Sequence, residues 1–289
     1  MIQGFVNVLK PPGMTSHDIV SAIRRMYHLK RVGHTGTLDP SAAGVLPVGL
    51  GLATRLIEYL DKDDKSYRAE ITFGWATDTG DDTGEEICRQ PFTMPTEEEI
   101  ISTLASFEGD IEQLPPLYSA IKINGQKLYE LARQGKEIER TPRPVHIHKI
   151  TLLERREDAI VIDVDCSKGT YIRTLCIDIG EKLGIPTVLS FLLRTKAGHF
   201  DLSSAMTLEE LAEIGEDALI PMDQAIPDIP TVQLTTQDGI AFENGRTVSI
   251  KQCTANRVRV YSEERFIGIA RIAGNGTKLI PEKVFHTDA

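Results

Sequence analysis

The sequence predicts a mixed α/β domain followed by a small β-rich module. Three observations lead there. Over the first 214 residues, runs that alternate polar and apolar residues are interleaved with runs whose apolar residues recur at helical spacing, so neither an all-helical nor an all-β fold accommodates the chain. Residues 225–230, interrupted by Pro227 and Pro230 with Pro221 nearby, then read as a linker. Beyond them come only short alternating runs. The expected division is a domain over residues 1–230 and a module over 231–289, the latter near the lower limit for independent stability and so expected to lean on the main domain.

Residues 5–9 alternate as a strand, and Lys10-Pro11-Pro12-Gly13 stops it. Thr15 and Asp18 make a capping-box start for a helix whose Ile19, Ile23, Met26 and Tyr27 fall on one face. Residues 53–60 read as a short helix, and residues 66–73 as a strand with Tyr67 near its start. Thr96 followed by three glutamates opens another helix, its acids favoured by the N-terminal dipole. Residues 127–134 before Gly135 read as a short helix. Residues 145–153 and 159–166 form an antiparallel hairpin around a polar turn. An amphipathic helix spans residues 171–183, with Tyr171 and Arg173 in its first turn and Gly184 and Pro186 ending it. Thr207 and Glu210 cap a helix over 208–214. Residues 257–261, 266–272 and 278–280 are the strand-like runs of the final module.

With 289 residues and 41% hydrophobic content, the chain can bury a sizeable core. Its N-terminus lacks the basic and apolar segments of a leader, and no apolar run approaches a membrane span, so a chain free of the membrane is expected. Cys88, Cys166, Cys176 and Cys253 are scattered without a CxxC pair, which fits reduced thiols in a cytoplasm; Cys166 and Cys176 lie in apolar segments that read as core. A net charge of −10 argues at first against a polyanionic partner. Its distribution reverses that. Residues 61–115 hold fifteen acids against four bases, whereas residues 116–150 hold seven bases against three acids, a polarity suited to an acidic back and a basic working face.

Residues 33–47, GHTGTLDPSAAGVLP, pack three glycines and two prolines into fifteen positions without helical or strand period, and read as an ordered loop. Its one acid is Asp39. Gly33 and Gly36 open backbone conformations closed to other residues, and Pro40 biases Asp39 away from the helical region. Other motifs fail. Residues 49–54 lack the last glycine and the preceding strand of a dinucleotide loop, and Leu50-Gly51 stands where a phosphate loop needs lysine and a hydroxyl. The acidic run over 78–84 misses the register of a calcium loop and reads as a solvated turn. His146 and His148 share a strand face without a third ligand, and no metal site is expected. There is no GxSxG.

Hydrolysis of a glycosidic bond usually takes two carboxylates. A single rigid one suffices as nucleophile, or as stabiliser of positive charge on a sugar, when the leaving group needs no acid. Uracil is such a group, because its anion is delocalised. Kept bound, it can rejoin the sugar through carbon. The motifs Lys10-Pro-Pro-Gly-Met-Thr-Ser16, Gly33-His-Thr-Gly-Thr-Leu-Asp-Pro40 with Gly44-Val-Leu-Pro47, Lys65-Ser-Tyr-Arg68, Pro115-Pro-Leu-Tyr-Ser-Ala-Ile-Lys122, Gly169-Thr-Tyr-Ile-Arg173 and Leu192-Leu-Arg194 follow in that order. In them the chain resembles the bacterial tRNA pseudouridine synthase B (TruB) family over residues 4 to about 200.

The resemblance implies a mixed α/β fold on a largely antiparallel central sheet, and isomerisation of uridine to pseudouridine at position 55 in the T arm of tRNA, without cofactor or metal. It implies Asp39 as the catalytic carboxylate at the ribose C1′ and Tyr67 as the residue that stacks on the flipped uracil and helps remove the C5 proton. By the same resemblance Arg173 pairs with Asp39, keeping it ionised and lowering its pKa, Tyr171 and Leu192 line the pocket, and Lys10 joins the substrate-binding set. His34 is implied to fill the gap left when the base leaves the stack. The final module resembles a reduced PUA-like RNA-binding domain. Lys122, Lys127, Arg133, Lys136, Arg140 and Arg143 are expected to meet the RNA backbone, in a cytoplasmic monomer that needs no protein partner. The alternatives are a non-catalytic tRNA chaperone, which assay of Asp39→Asn separates, and a guide-RNA-dependent synthase, which activity on bare tRNA excludes.

Neutralising any two of these six basic residues is expected to weaken binding to all tRNAs alike. For every phosphate that the protein then leaves unneutralised, the plot of log affinity against log salt flattens by about 0.7–0.9. An unchanged slope would transfer the RNA face to the bases of the first sixty residues and the C-terminal module.

Overall fold

Period-two alternation puts Tyr67, Ala69, Ile71 and Phe73 on the same buried face as Ile160, Ile162, Val164 and Cys166 of the neighbouring strand, and the largest part of the core is built on that face. The structure is a computed structural model that describes residues 2–60, 63–119, 122–123, 126–128 and 140–286. In chain order the strands of the first 230 residues are β1 (Gly4–Lys10), β2 (Val32–His34), β3 (Ala43–Leu50), β4 (Lys65–Phe73), β5 (Trp75–Thr77), β6 (Glu86–Arg89), β7 (Gly109–Gln113), β8 (Lys122–Ile123), β9 (Gln126–Lys127), β10 (Arg143–Arg155), β11 (Ala159–Cys166), β12 (Thr187–Ala197) and β13 (Phe200–Asp201). Among the described residues nine of these form one sheet in the order β1-β3-β12-β4-β11-β10-β7, with β2 on β3 and β13 on β12. Its pairs are antiparallel except β3 with β12, which run parallel. The expected largely antiparallel sheet is therefore observed.

Helices cover the sheet where their apolar stripes demand it. Helix α1 (Ser16–Met26) starts at the Thr15–Asp18 capping box and lays Ile19, Val20 and Ile23 on Val6, Val8, Leu46 and Val48. After the short α2 (Ile57–Leu60), helix α3 (Glu97–Ala105) has the second box, Thr96–Glu99, and packs Ile100 and Leu104 into the main core. Helix α4 (Ile172–Leu183) buries Ile172, Leu175, Cys176 and Ile179 against the same face, each side chain contributing roughly 1.5–3 kcal/mol. It ends at Gly184, whose φ of 70° is the left-handed cap glycine tolerates without strain. Helix α5 (Leu208–Ile214) follows its Thr207–Glu210 box.

The structure departs from the sequence reading in two places. The stretch 33–47 is loop only at its centre, because Gly33 and His34 belong to β2 and residues 43–47 to β3. Strand β3 is buried on both faces, so its apolar residues run continuously and show no alternation. Residues 225–230, read as a linker, are built into a core: Ala225 and Ile226 are buried with Phe5, Val45 and Leu56 from the sheet side. The helix expected over 127–134 lies outside the described residues beyond Leu128, and Lys127 itself is in strand pair β8–β9.

The last residues form β14 (Thr231–Leu234), α6 (Thr236–Glu243), β15 (Val248–Ser249), β16 (Arg257–Ser262), β17 (Arg265–Ala273) and β18 (Lys278–Val284), with the sheet order β14-β16-β17-β18-β15. Val258, Val260, Ile267 and Leu279 make a core of their own around Phe242. Phe266, Ile269 and Phe285 instead join the core that holds Phe5, Val45, Ala225 and Ile226. Arg259 reinforces this junction by donating to the carbonyls of Ile229 (2.7 Å), Asp223 (2.8 Å) and Pro227 (3.2 Å).

Arg259→Ala is expected to destabilise the protein by roughly 2 kcal/mol, since hydrogen bonds to a charged group contribute about 1.5–3 kcal/mol. Calorimetry should still show one cooperative transition at a lower Tm, because the core is shared. Two separated transitions would mean that the last sixty residues unfold on their own.

Candidate active site

The loop between β2 and β3 is held in place from beneath. Lys10 ends β1 with its side chain fully buried, and its ammonium donates to the carbonyls of Ala42 (2.6 Å), Pro11 (2.8 Å) and Pro40 (3.3 Å). Burial lowers its pKa to about 8. Ser16, buried at the start of α1, accepts from the Leu38 amide (2.9 Å) and donates to the Leu38 carbonyl (3.1 Å). The amide of Gly13 donates to Pro40 O (2.8 Å), and the amide of Ala42 turns back to Asp39 O (3.1 Å). Asp39 thus sits on a backbone whose polar groups are spoken for on both sides.

Its carboxylate meets Arg173. The guanidinium Nη2 lies 3.0 Å from Asp39 Oδ2, and Arg173 is 5% exposed while the Asp39 side chain stays 37% open. Arg173 is the second residue of α4, and the helix brings it here because Ile172, Leu175 and Cys176 are fixed in the core. Further donations go to Tyr118 O (2.7 Å) and Thr79 O (3.1 Å), and Nε lies 3.8 Å from Asp81 Oδ2.

Asp81 is the residue that the sequence reading misplaced. The run over 78–84 is exposed at Asp78 and Asp82 but not at Asp81, which is buried and accepts from Thr79 Oγ1 (2.8 Å) and from the hydroxyl and amide of Thr83 (2.6 and 3.2 Å). The threonines interleaved with the acids supply the hydroxyls of this cage, and they are the signal that could have marked it. No cluster able to hold a metal ion is present among the described residues. His146 and His148 lie with ring centroids 4.8 Å apart and ring planes tilted by 55°, and pair separately with Asp110 (2.7 Å) and Asp64 (2.8 Å).

A cavity of about 90 Å³ opens beside the Asp39 carboxylate, lined also by Tyr67, Tyr171, Arg173 and Leu192. Tyr67 reaches it from β4 and Leu192 from β12, paired strands in which Leu192 lies opposite Ala69. Tyr171 precedes α4 without a side-chain cap, and Gln113 at the end of β7 takes over, accepting from the Tyr171 amide (2.9 Å) and donating to its carbonyl (3.3 Å). Burial raises the pKa of both phenols. Asp39 is also raised: burial pushes it up, and the Arg173 charge pulls back only part of that. The direction is opposite to the expected lowering, because water withdrawn from the carboxylate outweighs one cation that is itself shared with Asp81.

Five of the sequence-named residues therefore face one cavity. His34 and Lys10 do not line it. His34 ends β2 opposite Val48, and Lys10 holds the loop from below. Arg140 donates to Pro115 O (2.9 Å), and Arg143 begins β10 with an exposed side chain. Lys122 and Lys127 stand in the β8–β9 pair, while Arg133 and Lys136 lie outside the described residues.

The sequence matches the families described as TruB family pseudouridylate synthase (N terminal domain) over residues 24–172, tRNA pseudouridylate synthase B C-terminal domain over 173–226, and Pseudouridine synthase II TruB, C-terminal, over 230–285. Curated relatives named tRNA pseudouridine synthase B include those of Alkaliphilus oremlandii, 48% identical with 92% of each chain covered, and of Caldanaerobacter subterraneus, 45% identical with 98% of this chain and 99% of that one covered. Among solved structures, a Cbf5-Nop10-Gar1 complex contains a chain 28% identical with a TM-score of 0.75, over 97% of this chain and 84% of that chain. An H/ACA RNP bound to a substrate RNA containing 2′-deoxyuridine contains one 26% identical with the same TM-score, over 98% and 85%.

Asp39→Asn is expected to leave the fold intact and to raise Tm slightly at neutral pH. The sign follows from linkage: a carboxyl whose folded pKa exceeds its unfolded value weakens the folded state above the unfolded pKa, the ordinary carboxylate range near 3.8, and does so fully above the folded pKa. Thermal melts of both proteins should converge as pH falls below that range. A variant less stable at neutral pH would show that the Asp39–Arg173 attraction exceeds the desolvation it opposes.

Proposed function

The chain belongs to the TruB family of pseudouridylate synthases and isomerises uridine to pseudouridine in tRNA, and on that premise we propose how its residues divide the work. The target is the uridine at position 55 in the T arm, acted on in the cytoplasm by this chain alone. Its base leaves the stack and enters the cavity, with the ribose beside Asp39.

The observation that carries this reading is one half-open carboxylate, 3.0 Å from a buried arginine, at the edge of a cavity faced by a tyrosine. Asp39 acts on C1′ as the N1–C1′ bond breaks and positive charge develops on the sugar. Partly desolvated, it interacts with that charge more strongly than a hydrated carboxylate would. The bond's electron pair leaves with the uracil, which as a delocalised anion needs no acid. The ring turns within the cavity, C5 bonds to C1′, and the C5 proton is lost, with Tyr67 stacking on the ring and taking part in that last step. Tyr171 and Leu192 bound the ring, and Arg173 aims the carboxylate. His34 supports the emptied position in the RNA from outside the cavity. All atoms of the substrate reappear in the product, so the balance calls for no cofactor.

The test is release of tritium from tRNA labelled at uracil C5, using the purified chain and bare transcript. Wild type is expected to release it, and Asp39→Asn or Asp39→Ala to lose turnover while binding persists. Activity of either variant within tenfold of wild type would remove Asp39 from the chemistry. Dependence on an added protein or guide RNA would refute action by the chain alone.

A further inference from the structure

We propose that Arg194 is a positioning residue that couples the Tyr67 phenol to the Asp39 loop and holds the phenolic oxygen as acceptor of the C5 proton, a role that rests on the reading of Tyr67 above. Arg194 is 0% exposed, the largest wholly buried side chain among the described residues. Its position in β12 is opposite Tyr67 of β4 on one side and opposite Gly44 of β3 on the other. Its Nε donates to Val45 O (2.7 Å) and its Nη2 to Gly36 O (3.2 Å), so one planar group grips both ends of the segment that carries Asp39. Across the strand pair, the charge of the same guanidinium favours the ionised form of the Tyr67 phenol.

Glycine makes this approach possible. A Cβ at Gly44, where φ is 118°, would stand 2.2 Å from the Arg194 carbonyl oxygen, and one at Gly36 would stand 3.4 Å from Nη1. Burying a guanidinium to hold backbone alone is a costly solution. The phenol gives the charge a second use.

Once C5 has bonded to C1′, the C5–H bond must break with its electron pair returning to the uracil ring. The proton goes to the Tyr67 phenolate, which becomes a phenol and later yields that proton to water. Burial works against the phenolate, and so does Asp39 from the loop. The neighbouring Cys166 thiol of β11, which burial pushes up to about 12, stays protonated and uncharged. Arg194 opposes burial and Asp39, and Arg173 adds a second cation at the cavity wall.

The experiment is single-turnover tritium release against pH for wild type, Arg194→Lys, Tyr67→Phe and the double variant, with tRNA affinity and Tm measured alongside. Arg194→Lys is expected to fold and to bind tRNA within threefold of wild type. At neutral pH its rate should fall roughly 100-fold, the scale of lost proton-transfer catalysis, and should keep rising with pH where wild type has levelled. In the Tyr67→Phe background the lysine substitution should change the rate less than threefold. An equal loss with and without the phenolic hydroxyl, or an unshifted pH profile, would reduce Arg194 to structure and overturn the inference while leaving the role of Tyr67 standing. Retained turnover in Tyr67→Phe would overturn both. Should Arg194→Lys fail to fold, wild type carrying 13C-labelled tyrosine decides: a Tyr67 still protonated at the alkaline plateau of turnover overturns the proposal, and one titrating with the rate supports it.

Discussion

The 3.0 Å ion pair between Asp39 and Arg173 is the interaction to which the rest of the site answers. A guanidinium at 5% exposure would be untenable with one half-solvated partner, since desolvating an ion costs several kcal/mol. The structure surrounds it with Asp81 and two backbone carbonyls, from Thr79 and Tyr118. These groups come from separate parts of the chain. The turn over 78–84 must cage Asp81, residue 118 must approach, and α4 must begin where it does for one side chain to be satisfied. The Asp39 carboxylate inherits this environment: it gains direction from Arg173, yet Asp81 draws on the same cation, and Asp39 remains easier to protonate than an ordinary aspartate.

A second level of constraint lies under the loop. Lys10, Ser16 and Arg194 are all buried and together bond the backbone at residues 36, 38, 40, 42 and 45. The motif residues from the end of β1 to the start of α1 are thus explained by what they support, since Lys10 and Ser16 flank the Pro-Pro-Gly turn and both reach the same loop.

What could be read from the sequence depended on whether a side chain's job was local. Capping boxes at Thr15, Thr96 and Thr207 pair neighbours three apart and were legible, as were the strands that alternate. Strand β3, buried on both faces, lost its alternation and hid within a loop reading. Asp39, Tyr67, Tyr171, Arg173 and Leu192 were found together through motif order, and all line the cavity. Asp81 was missed because two exposed acids flank it and its burial is decided by Arg173, ninety residues on. Gln113 carried no motif, and its bonds to Tyr171 span 58 residues. The direction of the Asp39 shift was likewise beyond reach, for a partner can be inferred from pattern but the withdrawal of water cannot.

The core that Phe5 and Val45 share with Phe266, Ile269 and Phe285 leaves no hinge between the large sheet and the last sixty residues. Any surface on that module stands at a set distance from Asp39, as a mark on a ruler does. An RNA that touches both is measured for its span before any base is read. No freedom between the two parts is left to be frozen out when it docks, so that component of the entropy of association has already been met in folding.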